Sequence, residues 1–77
     1  MSNAAIRHDD GQYALDCWIE AEDEGESAAT EYCDAIAPLR ARAAIILKAG
    51  RFRYLELSRW NAALDDWDTL EVFEPGG

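Results

Sequence analysis

The residues of this chain that could do chemistry are mostly carboxylates, and they are unevenly distributed. Ten acids and no base lie between residues 9 and 34, six bases and one acid between 40 and 59, and five acids and no base between 65 and 74. In total, 16 acidic and 7 basic side chains give a formal net charge of −9. Complete pairing still leaves nine acids, and unpaired charges lie at the surface. The sequence therefore predicts a surface that presents negative charge.

Groups typical of catalysis or metal binding are sparse. The single histidine, His8, lies in an N-terminal segment, residues 1–10, that we expect to be mobile. Cys17 and Cys33 form no CxxC pair, and neither has an evident base beside it. The sequence contains no phosphate loop and no metal-ligand spacing. We therefore expect no catalytic residue, no metal, no cofactor and reduced cytosolic thiols.

Length and charge restrict the class of protein. A chain of 77 residues predicts a single domain, 1–77, with a small core. No apolar run approaches the roughly 18 residues of a membrane span. A charge of −9 repels nucleic acid and anionic lipid, so the expected partner is a basic protein surface. We expect a cytoplasmic monomer that binds neither nucleic acid nor membrane directly.

One helix is predicted in the middle of the chain. Apolar residues recur at helical spacing, at Tyr32, Ile36, Leu39, Ala43, Ile46 and Leu47. Ser27 is a candidate N-cap, and Gly50 fits the position after the helix. Pro38 inside this stripe predicts a kink, or a break into two helices. The alternative is a strand over 44–48 with a turn at 49–50, but the continuous stripe favours the helix.

Three segments alternate between apolar and polar residues, which predicts strands. They span residues 12–21, 52–60 and 67–74, and the last two form an antiparallel hairpin. The predicted fold is α+β with the order β-α-β-β, a small three-stranded sheet with the helix packed on one face. The order of the strands within the sheet stays open.

The alternation also predicts two different sheet faces. The side chains expected against the helix are Tyr13, Leu15, Cys17, Ile19, Leu55, Leu57, Leu70 and Val72. The other face then carries Trp18, Phe52, Tyr54, Trp60, Trp67 and Phe73, with Asp16, Glu20, Glu56 and Glu71 among them. Exposed aromatic residues in this number are typical of a protein-binding surface. The alternatives are that they shield one another across strands, that the two faces are exchanged, or that a homodimer buries them.

Carboxylates beside anchoring aromatic residues predict an acidic surface for a basic partner. Carboxylates two residues apart along a strand lie about 7 Å apart, a distance comparable with the repeat of a nucleic-acid backbone. Such a row suits a DNA channel lined by lysine and arginine. The candidate partner-binding residues are Asp16, Trp18, Glu20, Glu22, Asp23, Glu24, Tyr54, Glu56, Trp60, Asp65, Asp66, Trp67, Asp68 and Glu71.

In size, acidity and α+β layout, the whole chain resembles the small phage-encoded anti-CRISPR proteins, and its size and charge resemble the type I-C inhibitors in particular. The resemblance is one of composition, so no functional residue is carried over from it. It implies a DNA mimic without enzymatic activity that binds the cationic DNA- or PAM-binding surface of a Cas subunit in a type I Cascade complex, in the bacterial cytoplasm. The alternative is an immunity protein or antitoxin-like module that neutralises a basic toxin.

Overall fold

The computed structural model of the chain describes residues 11–20 and 25–75, and the N-terminal segment 1–10 lies outside them. The elements are β1 (Tyr13–Trp18), β2 (Ala29–Cys33), α1 (Ile36–Ala49), β3 (Tyr54–Asn61) and β4 (Asp66–Phe73). The strands form one antiparallel sheet in the order β2-β1-β3-β4, and α1 packs on one face. The α+β class with one helix and the final antiparallel hairpin are confirmed, but the sheet has four strands and not three.

The strand that the sequence analysis missed is β2. It pairs with β1 from Tyr13↔Cys33 to Cys17↔Ala29. Tyr32 lies four residues before Ile36, the distance of one helical turn, so its spacing predicts a helix here. The β-branched and aromatic residues of this segment suit a strand equally well. Ser27 is therefore not a helix N-cap, and the helix begins nine residues later at Ile36.

Pro38 lies in the first turn of α1 and does not divide the helix. The first N–H groups of a helix have no partner within it, so a proline there removes no helical hydrogen bond. At the other end, Gly50 adopts the left-handed conformation with φ 85°, and its N–H donates to the carbonyl oxygen of Leu47 at 3.1 Å. The helix thus ends where the sequence predicts, and the alternative strand over 44–48 is wrong.

The core lies between α1 and the two middle strands. Its buried side chains are Leu15 and Cys17 of β1, Leu55 and Leu57 of β3, and Leu39, Ala43 and Ile46 of α1. Tyr13, Cys33, Ile36, Leu47, Phe52 and Phe73 pack around this cluster. The alternation of apolar and polar residues in β1 and β3 therefore identified the four strand residues of the core correctly.

Two ion pairs connect α1 to both edges of the sheet. Arg42 donates a bidentate pair of hydrogen bonds to the carboxylate of Glu31 on β2, at 2.8 and 3.0 Å. This hydrogen bonding lowers the pKa of Glu31. Arg40 donates to Glu71 on β4 at 2.9 Å. Solvent screens exposed pairs of this kind and they contribute little to stability, so their main effect is to set the position of the helix over the sheet.

A β-bulge in β4 reverses the alternation of that strand. The pairing passes from Leu57↔Glu71 to Ser58↔Thr69, so Leu70 is an extra residue without a partner position. Beyond such a bulge, side chains that would face away from the helix face towards it. The placement of Glu71 on the face away from the helix is consequently wrong.

The same bulge accounts for errors in the predicted core. Leu70 and Val72 are 43% and 47% exposed, whereas Phe73 packs on the core.

Two further errors arise at strand ends. The prediction that Ile19 is a core residue is wrong, because β1 ends at Trp18 and leaves Ile19 46% exposed. Phe52, expected on the other face, precedes β3 and packs against the core.

Leu57→Ala should lower the free energy of unfolding by about 2–5 kcal/mol, because this fully buried side chain lies between β3 and α1. Ile45→Ala is the matched control: Ile45 is 57% exposed on α1, and its truncation should change stability by less than about 0.5 kcal/mol. Urea unfolding followed by tryptophan fluorescence measures both. Equal losses would contradict the assigned core.

Candidate partner-binding face

The sheet face away from α1 is here called the open face. By strand alternation it holds Thr30 and Tyr32 of β2, Ala14, Asp16 and Trp18 of β1, Tyr54, Glu56, Ser58 and Trp60 of β3, and Trp67, Thr69 and Val72 of β4. The only helix in the described residues packs on the opposite face, so within this part of the chain these side chains are covered by one another and by the loops.

Aromatic rings cover one half of the open face. The Trp67 ring lies 5.3 Å from that of Trp60 and 6.0 Å from that of Tyr32, measured between centroids. Tyr32 and Trp67 belong to opposite edge strands, so rings this close must lie above the two middle strands. The small residues Ala14 and Ser58 of those strands are only 2% and 3% exposed. In this half, aromatic residues shield one another across strands, as one of the alternatives anticipated.

A second aromatic pair lies at the other end of the face. Trp18 and Tyr54 are directly opposite in register, and their rings meet edge to face at 5.6 Å. The Tyr54 hydroxyl donates to Glu56 at 2.9 Å, and this hydrogen bond raises the pKa of Tyr54. The Trp18 indole N–H points to the carbonyl oxygen of Gly25 at 3.4 Å. This contact brings the loop between β1 and β2 to the edge of the face.

Two carboxylates, Asp16 and Glu56, lie between the aromatic groups and oppose each other across β1 and β3. Like charges directly opposite on a sheet are destabilising. Hydroxyl groups offset part of this repulsion: Oδ1 of Asp16 accepts from Ser27 at 3.2 Å and from Thr30 at 2.7 Å, and Glu56 accepts from Thr69 at 3.3 Å. No ion pair with a described base neutralises either carboxylate.

A groove of about 610 Å³ opens beside Asp16. Its lining residues are Asp16, Trp18, Gly25, Glu26, Ser27, Thr30, Asp66 and Trp67. They come from β1, the following loop, β2 and the beginning of β4, so the groove exists only because the sheet folds these segments together. Three carboxylates and two indoles in one concave lining favour a cationic occupant.

Positive charge lies on the other side of the molecule. The described bases are Arg40, Arg42 and Lys48 on α1, Arg51 and Arg53 between α1 and β3, and Arg59 on β3. Arg59 alternates with Leu57 and so lies on the helix face. Among residues 11–20 and 25–75, no strand position on the open face is a base. The domain is therefore polarised, with the bases around the helix and uncompensated acids on the open face.

The structure brings half of the predicted partner-binding residues together. On the open face or in its groove lie Asp16, Trp18, Tyr54, Glu56, Trp60, Asp66 and Trp67. Residues 22–24, which include Glu22, Asp23 and Glu24, lie outside the described part of the chain. The clustering of residues from distant segments follows from the strand order, which the sequence left open.

Four other candidates are placed elsewhere. Glu20 is exposed beyond β1, 3.7 Å from Arg53, and Asp65 lies in the turn between β3 and β4 with φ 53°. Asp68 is on the helix face and accepts a hydrogen bond from Asn61 at 2.9 Å. Glu71, as noted, pairs with α1. The hairpin turn is therefore not a single acidic loop, since Asp66 contributes to the groove and Asp68 does not.

The groove also contains polar residues that the sequence analysis missed. Glu26, Ser27 and Thr30 line it, and the two hydroxyls hold the Asp16 carboxylate. The helical spacing of Tyr32 and Ile36 predicts a helix over this stretch, and a helix would not place these side chains beside Asp16. The signal that could have found them is the β-branched and aromatic composition of this segment, in which Thr30 and Tyr32 are two residues apart, as on one face of a strand.

Cys17 is poorly suited to nucleophilic chemistry. Cys17 is 1% exposed in the core, and burial, followed by the charges of Glu31 and Asp16, raises the pKa of its thiol from the ordinary 9.0 to about 11. The thiolate is the reactive form, and at neutral pH it is essentially unpopulated here. Both Cys17 and Cys33 are free thiols.

No family model, no curated protein and no solved structure matches the chain. The described residues contain no helix that is both long and apolar enough to cross a bilayer. Within the same residues, no three His, Cys, Asp or Glu side chains are grouped in a way that could hold a metal ion.

Ala14→Leu should lower the free energy of unfolding by about 1–3 kcal/mol, because the aromatic rings leave no room above residue 14. Ala44→Leu on the exposed side of α1 makes the same chemical change and should stay within about 0.5 kcal/mol of the parent. Urea unfolding compares the two variants. A neutral or stabilising Ala14→Leu would mean that the rings do not cover this part of the face.

The raised pKa of Cys17 predicts a loss of stability at alkaline pH. The folded-state pKa of about 11 exceeds the unfolded value of 9.0, so this contribution is complete below pH 9 and disappears as the pH rises towards 11. In a Cys33→Ser variant, the Cys17 thiol should not react with a disulfide reagent at neutral pH until urea unfolds the protein. Cys17→Ala should remove this part of the alkaline loss. Rapid labelling of Cys17 in the folded state would contradict its burial.

Proposed function

We propose that this protein is a small acidic inhibitor that binds the cationic DNA-binding surface of another protein through its open face. The observation that carries the proposal is the pair Asp16 and Glu56 on a face that holds no described base, with Asp66 in the lining of the adjoining groove. The protein acts by binding and not by catalysis.

Charge polarity supports a protein partner over nucleic acid or membrane. Phosphates would be repelled by the open face, and the bases that could attract them are spread around α1, where two of them already pair with Glu31 and Glu71. A cationic surface relieves the repulsion between Asp16 and Glu56 and is steered towards this face during association. Half-buried aromatic rings beside the carboxylates supply the apolar contact that anchors an interface.

A surface that normally binds DNA has the required properties. It is rich in lysine and arginine, and it is solvated in the absence of its ligand. The open face occupies it in place of the phosphate backbone, which makes the two ligands competitive. The compositional resemblance to anti-CRISPR proteins suggests a Cas subunit of a type I complex as the target, in the bacterial cytoplasm. The alternative is a toxin neutralised by an immunity protein.

The test compares two double variants with the same net charge. Glu56→Gln with Asp66→Asn removes one charge from the open face and one from its groove, and Ala41→Lys with Ala44→Lys adds two to the exposed side of α1; both change −9 to −7. Tagged protein captures its partner from bacterial lysate at low salt. The partner is then loaded with labelled DNA, and each variant is added. The parent and the helix variant should displace the DNA, and the open-face variant should be weaker by about ten-fold.

High salt should reduce displacement by the parent, since screening shortens the range of the attraction. Equal weakening of both double variants would mean that net charge alone is responsible and that the open face is not the interface. A captured complex that keeps its DNA would reject mimicry and favour the immunity-protein alternative.

A further inference from the structure

We infer that the groove beside Asp16 receives an arginine side chain of the basic partner. The inference rests on the proposed function, because it identifies which group of that partner the open face recognises. It commits to a single cationic side chain inserted in the groove, with its guanidinium against Asp16 and Asp66 and its flat surface against an indole.

Charge complementarity is the first reason. The described residues that line the groove include three acids, Asp16, Glu26 and Asp66, and no base. They come from three separate segments of the chain, so a cation placed between them contacts all three segments at once. The adjacent Glu56 adds a fourth carboxylate on the same face, directly opposite Asp16. A cationic occupant is therefore favoured over a neutral or anionic one.

The orientation of the Asp16 carboxylate is the second reason. The hydroxyl oxygens of Ser27 and Thr30 lie 2.8 Å apart, and both approach Oδ1 within hydrogen-bonding distance. This fixes the carboxylate and leaves Oδ2 without a hydrogen bond from the described residues. A carboxylate held by its neighbours before binding loses little freedom when a donor arrives.

The two indoles favour arginine over lysine. Trp18 and Trp67 both line the groove, and both are half-buried. A guanidinium is planar, stacks on aromatic faces and donates several hydrogen bonds in one plane, whereas an ammonium is a strongly hydrated point charge. A groove lined by both acidic residues and indoles therefore matches a guanidinium better than an ammonium.

The test titrates the isotopically labelled full chain with a blocked peptide of alternating arginine and glycine, and with the same peptide carrying lysine. Two-dimensional NMR follows the backbone amides and the indole N–H signals. The arginine peptide should shift the Trp18 and Trp67 indoles and the Thr30 amide, with a Kd about five-fold lower than that of the lysine peptide.

Asp66→Asn and Ala44→Lys form the matched pair, since each changes the net charge from −9 to −8. The asparagine still accepts the hydrogen bond that the Trp67 backbone N–H gives to residue 66 at 2.8 Å, so local structure is kept. Asp66→Asn should raise the Kd of the arginine peptide by about three-fold, with little change for Ala44→Lys.

Equal affinity for the two peptides, equal effects of the two variants, or shifts confined to residues outside the groove would each overturn the arginine groove. The proposed function has its own readout in the displacement of DNA. Displacement without an arginine preference removes only the groove assignment. Arginine binding in the groove without displacement supports the groove and rejects the DNA-mimic function.

Discussion

A single helix covers only one face of a four-stranded sheet, and most other features of this protein follow from that imbalance. The face under α1 is built from leucines, a cysteine and the apolar side of the helix. The other face has to be completed by the strands themselves. Where Trp60, Trp67 and Tyr32 meet above the middle strands, the residues below them are small and buried. Where the rings end, carboxylates remain facing solvent.

The distribution of charge follows the same division. Bases on α1 reach the two edge strands and position the helix, so the helix side neutralises part of its own charge. No base among residues 11–20 and 25–75 gives the open face such compensation, and hydroxyls only moderate the repulsion between Asp16 and Glu56. The fold thus keeps an unfavourable interaction at the surface, which a cationic partner would relieve. Functional surfaces commonly keep such local conflicts that the rest of the fold tolerates.

The elements that were predictable from the sequence are those whose signal is local. Alternation of apolar and polar residues in β1 and β3 identified Leu15, Cys17, Leu55 and Leu57 as core residues. Helical spacing identified Leu39, Ala43 and Ile46. The end of α1 at Gly50 was equally predictable, because the position after a helix commonly adopts the left-handed conformation, which glycine favours. The signal failed for β2, where one apolar spacing fits a helix and a strand alike. It also failed at Leu70, since a bulge is defined by the partner strand and not by its own sequence.

The candidate site was predictable only as a list of residue types. Asp16 and Glu56 were both named, but their direct opposition depends on β1 lying beside β3, which no local pattern encodes. The groove depends further on β2, since Thr30 and Ser27 contribute its hydroxyls. The acidic hairpin turn shows the same limit, because nothing in the local sequence distinguishes Asp66, which lines the groove, from Asp68, which accepts a hydrogen bond from Asn61 instead.

The strand order also has a consequence for how the chain acquires its structure during synthesis. β1 emerges early but lies at the centre of the sheet, between a neighbour made soon after it and one made only after the helix. The β1–β2 hairpin can form by local contacts, yet Leu15 and Cys17 find their core partners only when β3 has been translated. The apolar side of the hairpin therefore stays exposed while α1 is being made. Pairing between strands far apart in sequence slows folding, and the apolar surface exposed meanwhile is prone to aggregation.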